Sequence, residues 1–296
     1  MTGEGRGVMT DADLPGLVRE ADDASRRGQR SALRLTRTRL LSAVAAGLFA
    51  AFDTKVHDDF YPWWTLAMVA FAVALVAGIM LWFQQPERRW YAGRTVAEEI
   101  TTLAWRYAAA GAPFPADVAR PEALFRERVV EVVERGEQQW PLRGSDTSVT
   151  PAMTAMRAAP FEQRRSAYLE NRIRRQQQWY AERADTNRTR ATQWRAALVV
   201  GEVAAVVLAG GRAFGEWSLD LSGMFAAVVA GGAAWLGMRR HSTQATSYTS
   251  ASRALVLVLV KLEDADEASW PEVVAEAEEL IDREHRMWLA SRPVDS

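Results

Sequence analysis

Cysteine is absent from this 296-residue sequence, and its three histidines, His57, His241 and His285, lie far apart along the chain. Without cysteine there is no disulfide framework, no thiolate nucleophile and no cysteine-ligated metal, and the redox compartment stays undetermined. Lysine is nearly absent too, since Lys55 and Lys261 are the only lysines among 36 basic residues. The formal net charge is only −1, so we interpret the arginine excess as compositional bias and expect no nucleic-acid partner.

Motifs of the common catalytic and cofactor-binding sites are missing as well. The sequence has no GxSxG, HExxH, CxxC or GxGxxG pattern, so no hydrolase triad, metal site or dinucleotide fingerprint can be assembled. Its glycine pairs at 210–211 and 231–232 lie in apolar stretches, where close packing explains them better than phosphate binding. We therefore expect a protein that is not an enzyme and that holds neither a metal nor a cofactor.

The most informative stretch, residues 61–83, lacks charge altogether. Its 23 residues suffice to cross a hydrocarbon core of about 30 Å at about 1.5 Å per residue. Aromatic residues at both ends, among them Tyr61 and Trp82, match the preference of such rings for the headgroup level. The preceding stretch over 36–56 has charges only near its ends and predicts the other arm of a helical hairpin.

A second hairpin over 196–238 repeats the first. The stretch 196–211 is interrupted only by Glu202, and 221–238 carries no charge. Sixteen Lys and Arg lie within twenty residues of the span ends that adjoin the long polar segments, against two in the short connecting loops. By the positive-inside rule we predict four spans in a bacterial inner membrane, with both termini in the cytoplasm. The polar start of the chain predicts no cleavable signal peptide.

The polar remainder predicts helices that form a cytoplasmic bundle. Periodic apolar positions predict one helix after Pro86 and another after Pro121. Residues 144–160 are rich in Ser, Thr and Pro and predict a linker. The predicted fold class is an all-α integral membrane protein with two transmembrane helical hairpins and a cytoplasmic helical bundle. Its predicted divisions are a polar tail over 1–20, a first two-transmembrane module over 21–143, the linker over 144–160 and a second module over 161–290.

Small residues recur at every fourth position of all four predicted spans. Such stripes let helix backbones approach closely in lipid, where packing drives helix association. The glycines that we expect to pack against another helix, within a hairpin or between protomers, are Gly47, Gly78, Gly201 and Gly231.

Glu202 is the most informative polar residue, because a carboxyl inside an apolar span is costly and generally faces a cavity, a partner or the bundle interior. It lies roughly 10 Å from the cytoplasmic end of its span if that span begins at Ala196. It either lines a pore or is a protonated or hydrogen-bonded packing residue. In the first connecting loop, Asp53, Asp58 and Asp59 either form an acidic ring at the outer mouth of an oligomer or are ordinary solvated acids.

Aromatic and basic residues are interleaved along the predicted cytoplasmic helices. These side chains either pack at an interface or in the core, or they form a surface that stacks and pairs with an anionic nucleotide. The members of this candidate ligand or interface surface are Trp90, Tyr91, Arg94, Trp105, Arg106, Arg172, Gln176, Trp179 and Tyr180.

Two parts of the chain resemble different subtypes of one family. Residues 21–30 (ADDASRRGQR), a two-span hairpin and residues 90–114 (WYAGRTVAEEITTLAWRYAAAGAPF) resemble one subtype of the SLATT family, the SMODS- and SLOG-associating two-transmembrane effector domains. Residues 168–194 (YLENRIRRQQQWYAERADTNRTRATQW), with the hairpin after them, resemble a second subtype. The resemblance implies a genomic association with nucleotide-generating and nucleotide-sensing proteins of prokaryotic conflict systems, and a membrane-perforating role. Since we identify no nucleotide-sensing domain or phosphate-binding glycine loop in the chain, either such a sensor is a separate protein or the pore needs another trigger.

We therefore expect a membrane effector of a prokaryotic conflict or defence system that oligomerises to form or gate a pore in the inner membrane. Its expected partners are the lipid bilayer, further copies of itself, and a nucleotide second messenger or nucleotide-sensing protein as the trigger. The alternative is a non-conducting, membrane-anchored sensor or scaffold that recruits a soluble partner through its cytoplasmic helices. A transporter is disfavoured, because the predicted spans lack the proline breaks expected at a midplane site.

Overall fold

The computed structural model describes residues 9–52, 61–137, 147–214 and 221–290. Within those ranges every regular element is a helix, which confirms the all-α prediction. The α-helices among the described residues are α1 Gly16–Ala50, α2 Pro62–Gln84, α3 Pro86–Ala109, α4 Pro121–Glu137, α5 Pro151–Ala158, α6 Phe161–Tyr168, α7 Arg175–Ala213, α8 Leu221–Arg239, α9 His241–Asp264 and α10 Trp270–Ala290.

Proline marks the first turn of several helices, as the sequence indicates. Pro62 begins α2 and Pro121 begins α4, where the missing N–H of proline costs little because the first helical N–H groups have no partner within the helix. α4 extends to Glu137, so the helix predicted after Pro121 is confirmed. Beyond the end of α3, Ala110 has a φ of 56°, and this left-handed residue ends the helix.

One irregular turn joins α6 to α7. Residues Leu169–Arg174 form a π-helical turn, a feature that inserts an extra residue into the hydrogen-bond ladder and is frequent at functional sites. Asn171, Arg172 and Ile173 are all buried, although three consecutive residues of a regular helix point in widely different directions. The turn therefore lies within the core and places the guanidinium of Arg172 there.

The described chain divides into two compact units, and each unit draws on both halves of the sequence. The first unit, which we call the body, takes its residues from 1–28, 87–185 and 244–296. The second, which we call the hairpin unit, takes its residues from 29–86 and 186–243. The spatial division therefore differs from a division into two consecutive modules, whose boundaries along the sequence stay a prediction.

Aromatic side chains from both halves of the chain form the centre of the body. Trp105 of α3, Tyr168 of α6 and Trp270 of α10 are each at most 1% exposed. Tyr168 contacts both indoles edge to face, with ring centroids 6.1 Å from Trp105 and 5.7 Å from Trp270. The indole Nε1 of Trp270 donates to the carbonyl oxygen of Ala109 at 2.7 Å. These contacts dock α10 on the end of α3.

A short helix, α5, lies inside the segment that the sequence predicts as a linker. Thr150 caps its first turn by accepting a hydrogen bond from the amide of Met153, and the side chains of Met153 and Met156 are fully buried. The guanidinium of Arg157 donates to three carbonyl oxygens at and just beyond the end of α3, at 2.6–3.0 Å. These bonds attach α5 to the last turn of α3 and to the loop after it, so α5 belongs to the folded body.

Small residues bring the helices of the hairpin unit close together. The neighbours that a Cβ atom on Gly47, Gly78, Gly201 and Gly231 would meet are, in that order, Ala227, Arg39, Val229 and Val44. The helix α8 therefore packs against α1 at two of these positions, Gly47 and Gly231, and against α7 at Gly201. Since α1 and α8 belong to different predicted hairpins, the two hairpins contact each other within one chain.

Two described helices are long and apolar enough to cross a membrane by length and composition. They are Pro62–Gln84 and the continuous helix Phe161–Gly211. Large apolar side chains on both helices face outward, and Trp82 and Val206 are each 72% exposed. Such a surface is expected against lipid rather than water. The four-span topology with cytoplasmic termini stays a prediction.

Candidate functional site

Glu202 lies on α7 in the hairpin unit, and its side chain is exposed. The preceding residue, Gly201, approaches α8, whereas Glu202 is exposed together with its neighbours Val199, Val203 and Val206. Within the described part of the chain, the carboxyl of Glu202 has no hydrogen bond or ion pair. The carboxyl of this apolar stretch thus faces the surroundings of the chain instead of its interior.

A carboxylate in contact with hydrocarbon is unfavourable by roughly 2.5–3.5 kcal/mol on membrane-insertion scales, and by more in other treatments. Three arrangements remove this cost: a water-filled lumen, a polar group supplied by another copy of the chain, or protonation of the carboxyl. The first two place the outer face of α7 at a lumen or at an interface between protomers. Glu202 is therefore the candidate functional residue of the apolar helices.

The positions of the other residues predicted at a pore are not described by the structure. Asp53, Asp58 and Asp59 lie outside the described residues. The described ranges also contain no group of three or more His, Asp or Glu side chains placed to hold a metal ion. Of the residues predicted at a pore, Glu202 is thus the one whose position is described.

Five members of the candidate aromatic and basic surface lie in or near the core of the body. Trp90, Trp105, Arg172 and Tyr180 are buried. The side chain of Arg106 is 15% exposed, and its guanidinium donates to a carbonyl oxygen of α10 at 3.0 Å. These five side chains are already engaged within the body.

The remaining four members, Tyr91, Arg94, Gln176 and Trp179, are partly accessible. The indole of Trp179 is 37% exposed, and the guanidinium carbon of Arg183 lies 5.3 Å from its ring centroid. Arg94 forms ion pairs with two acidic side chains of the body. A ligand or partner surface formed by these four residues stays a prediction.

A buried ion pair between Arg172 and Glu278 is a feature that sequence reasoning missed. Nε and Nη2 of Arg172 donate to the two carboxylate oxygens of Glu278 at 2.9 and 2.7 Å, and the hydroxyl of Tyr168 donates to the same carboxylate at 3.0 Å. Glu278 is fully buried, so the bidentate pair holds α10 against the π-helical turn. The sequence does contain one indication of this pair. Glu278 occupies a position on the apolar face of α10, between Val274 and Ile281, where an apolar residue would be expected.

The fold and composition define an all-α protein with apolar helices of membrane-spanning length. Comparison with known families gives two matches that together cover most of the chain: "SMODS and SLOG-associating 2TM effector domain 3" over residues 15–165 and "SMODS and SLOG-associating 2TM effector domain 1" over residues 168–288. The chain belongs to this SLATT family, and the predicted tandem of two subtypes is confirmed. It is thus a membrane protein built from two-transmembrane effector domains, a class associated with conflict systems. No curated protein and no solved structure matches the chain significantly.

Proposed function

We propose that the protein is a membrane effector of a prokaryotic conflict or defence system that oligomerises to form or gate a pore in the inner membrane. The observation that carries this proposal is the exposed carboxyl of Glu202 on an apolar helix, with no partner in the described chain. A hydrated lumen or a second copy would relieve the cost of that carboxyl. The family of two-transmembrane effector domains supports the same function.

The proposed topology has four spans, with both termini in the cytoplasm. Beyond the two membrane-length helices, it assigns α8 and the second half of α1 to the membrane. α8 has 19 residues and thus a length of about 28 Å at about 1.5 Å per residue. Its contacts with both α1 and α7 support a bundle of helices at one depth, and the distribution of Arg and Lys supports the orientation.

The body is the proposed regulatory part. α1 and α7 each contain residues of the body and residues of the hairpin unit, so a displacement of either helix in the body acts on a helix of the proposed membrane part. A nucleotide second messenger or a nucleotide-sensing protein is the proposed trigger, and the accessible side chains of Arg94 and Trp179 are its proposed contact. Assembly would then be controlled from the cytoplasm.

Dye release from liposomes tests the pore. The purified full-length chain is reconstituted into dye-loaded vesicles, alone and with candidate cyclic nucleotides. We expect release by the wild-type protein and a severalfold smaller rate for Glu202→Gln, which keeps the shape of the side chain and removes its charge. Glu182→Gln is the matched control, because Glu182 is an exposed carboxylate on the same helix outside the apolar stretch, and its release rate should equal that of the wild type.

If the vesicles stay sealed under every condition, the pore function is rejected and the non-conducting scaffold remains as the candidate function. One observation on the body favours that second candidate: Val256, Leu257 and Val260 of α9 form an exposed apolar patch, in which Leu257 is 71% exposed. Patches of this kind mark protein interaction sites. The scaffold predicts that Leu257→Ser abolishes binding of a soluble partner, whereas the pore predicts that it leaves dye release unchanged.

A further inference from the structure

The hairpin unit contains a groove of about 370 Å³ between the start of the apolar part of α7 and the junction of α8 with α9. One part of its wall is polar and basic, and the other part is apolar. The polar rim is formed by Arg195, Arg240, His241, Ser242 and Thr243. No carboxylate is among the residues that line the groove, so its charged groups are all positive.

The rim owes its shape to a sharp turn at Arg240. This residue has a φ of 46°, a left-handed conformation that is rare for residues other than glycine. The turn begins α9 directly after α8, so that Ser242 and Thr243, in the first turn of α9, line the groove. The amides at the start of a helix have no partner within it and favour anions. On the opposite wall, Arg195 forms no ion pair with any described residue.

His241 is the buried imidazole of the rim. The imidazole is 5% exposed, and its Nδ1 lies 2.7 Å from the Oδ1 of Asn187 on α7, which fixes the ring. Burial, together with the positive charges of Arg239 and Arg190, lowers the pKa of His241. Neither of these two arginines lines the groove, so the positive charge of the rim itself comes from Arg195 and Arg240.

The floor of the groove is apolar and open. Leu198 of α7 and Leu236 of α8 line it, and both belong to the predicted spans. A Cβ atom on Gly237 would meet no atom within 4 Å, so there is free space beside this residue. The apolar floor therefore adjoins the basic rim and continues toward the membrane-spanning part of the two helices.

We propose that this groove binds an anionic phospholipid of the cytoplasmic leaflet, with the headgroup phosphate between Arg195 and Arg240 and an acyl chain along Leu198 and Leu236. Guanidinium groups pair with phosphate oxygens through charge-assisted hydrogen bonds. A free phosphate or a nucleotide would use the rim alone, whereas a phospholipid also fills the apolar floor. The site rests on the proposed topology, in which this end of the hairpin unit faces the cytoplasm.

Lipid binding to the full-length chain in neutral detergent tests the site. Native mass spectrometry measures binding of short-chain phosphatidylglycerol, with phosphatidylcholine, inorganic phosphate and adenosine monophosphate as further probes. We expect phosphatidylglycerol to bind about tenfold more tightly than phosphatidylcholine, and Arg195→Gln to lose about that factor. Arg37→Gln is the control, because Arg37 is an exposed arginine of the hairpin unit that does not line the groove, and its effect should stay below about twofold.

A second pair of variants tests the apolar floor without changing the charge. Gly237→Leu fills free space and is expected to weaken phosphatidylglycerol binding about tenfold. Gly210→Leu is its control, since a Cβ there also meets nothing within 4 Å and Gly210 lies outside the groove. Tight binding should therefore persist in Gly210→Leu.

Equal binding of the two lipids, or unchanged binding by Gly237→Leu, would overturn the proposal. Competition by inorganic phosphate or adenosine monophosphate at the affinity of the lipid would also overturn it, and would assign the rim to free phosphate. Binding is measured without any flux, so it is independent of the dye-release result. If the vesicles stay sealed but the protein still prefers phosphatidylglycerol, the proposed pore is rejected and the lipid site is kept. If the vesicles leak but the protein shows no preference between the lipids, the lipid site is rejected and the pore is kept.

Discussion

The variant Glu278→Gln tests the buried ion pair of the body most directly. It keeps the shape of the side chain but leaves the guanidinium of Arg172, which is 4% exposed, without its carboxylate partner at 2.7 Å. Removing one partner of a buried pair costs about 3–5 kcal/mol of unfolding free energy. Since about 1 kcal/mol corresponds to roughly 2–4 °C in a domain of this size, we expect the Tm to fall by roughly 6–20 °C. Thermal unfolding of the full chain in detergent, followed by circular dichroism, measures the shift.

An exposed ion pair provides the matched control. Arg174 and Glu263 are 3.0 Å apart, with side chains 48% and 43% exposed, and such pairs contribute about 0–1 kcal/mol. Glu263→Gln should therefore change the Tm by no more than about 4 °C. The double variant Arg172→Met with Glu278→Met removes both charges and should recover much of the loss. Equal shifts for Glu278→Gln and Glu263→Gln would refute the reasoning.

Three further changes probe the core, the helix contacts and the pH dependence. Trp270→Phe leaves a buried carbonyl of α3 without its donor and should cost about 1–3 kcal/mol, whereas the partly exposed Trp179→Phe should cost less. Gly231→Ala overlaps a valine of α1 and should lower the Tm, while Gly237→Ala meets open space and should not. Burial and two nearby arginines lower the pKa of His241 below its ordinary 6.5. The unfolded state therefore protonates first, so stability is fully present above pH 6.5 and is lost as the pH falls through the lower folded-state value.

Each of these expectations has a contradicting result. Equal losses for the two tryptophan variants would show that the indole hydrogen bond contributes little. A similar Tm for both glycine variants would show that α1 and α8 separate at little cost. In a series of unfolding curves from pH 8 to 5, His241→Gln should lose less stability than the wild type, and parallel curves would exclude a contribution from this imidazole.

The features that were predicted from the sequence arise from local composition. The uncharged stretch 61–83 corresponds to Pro62–Gln84, because length and apolarity alone specify a membrane-length helix. Pro121 predicts the start of α4, because proline fits the first turn of a helix. The family resemblance could also be seen in the sequence, because the segments that show it, such as residues 90–114 and 168–194, are each contiguous.

The features that were missed depend on contacts between distant residues. Arg172 and Glu278 are 106 residues apart, and no helical period shows that the π-helical turn and α10 meet. The grouping of the chain into a body and a hairpin unit likewise requires pairing between its two halves. The helix α5 has only eight residues, too few for a clear period, although Thr150 followed by Pro151 is a helix-start signal.

The central claim is that Glu202 lines a conducting pathway, and the reversal potential of the reconstituted protein tests it most directly. The full-length chain is inserted into planar bilayers that separate unequal concentrations of KCl. A carboxylate exposed in a lumen favours cations, so we predict a cation-selective reversal potential for the wild type and a shift toward zero for Glu202→Gln, with channels still present. Identical reversal potentials for the two proteins would contradict the claim.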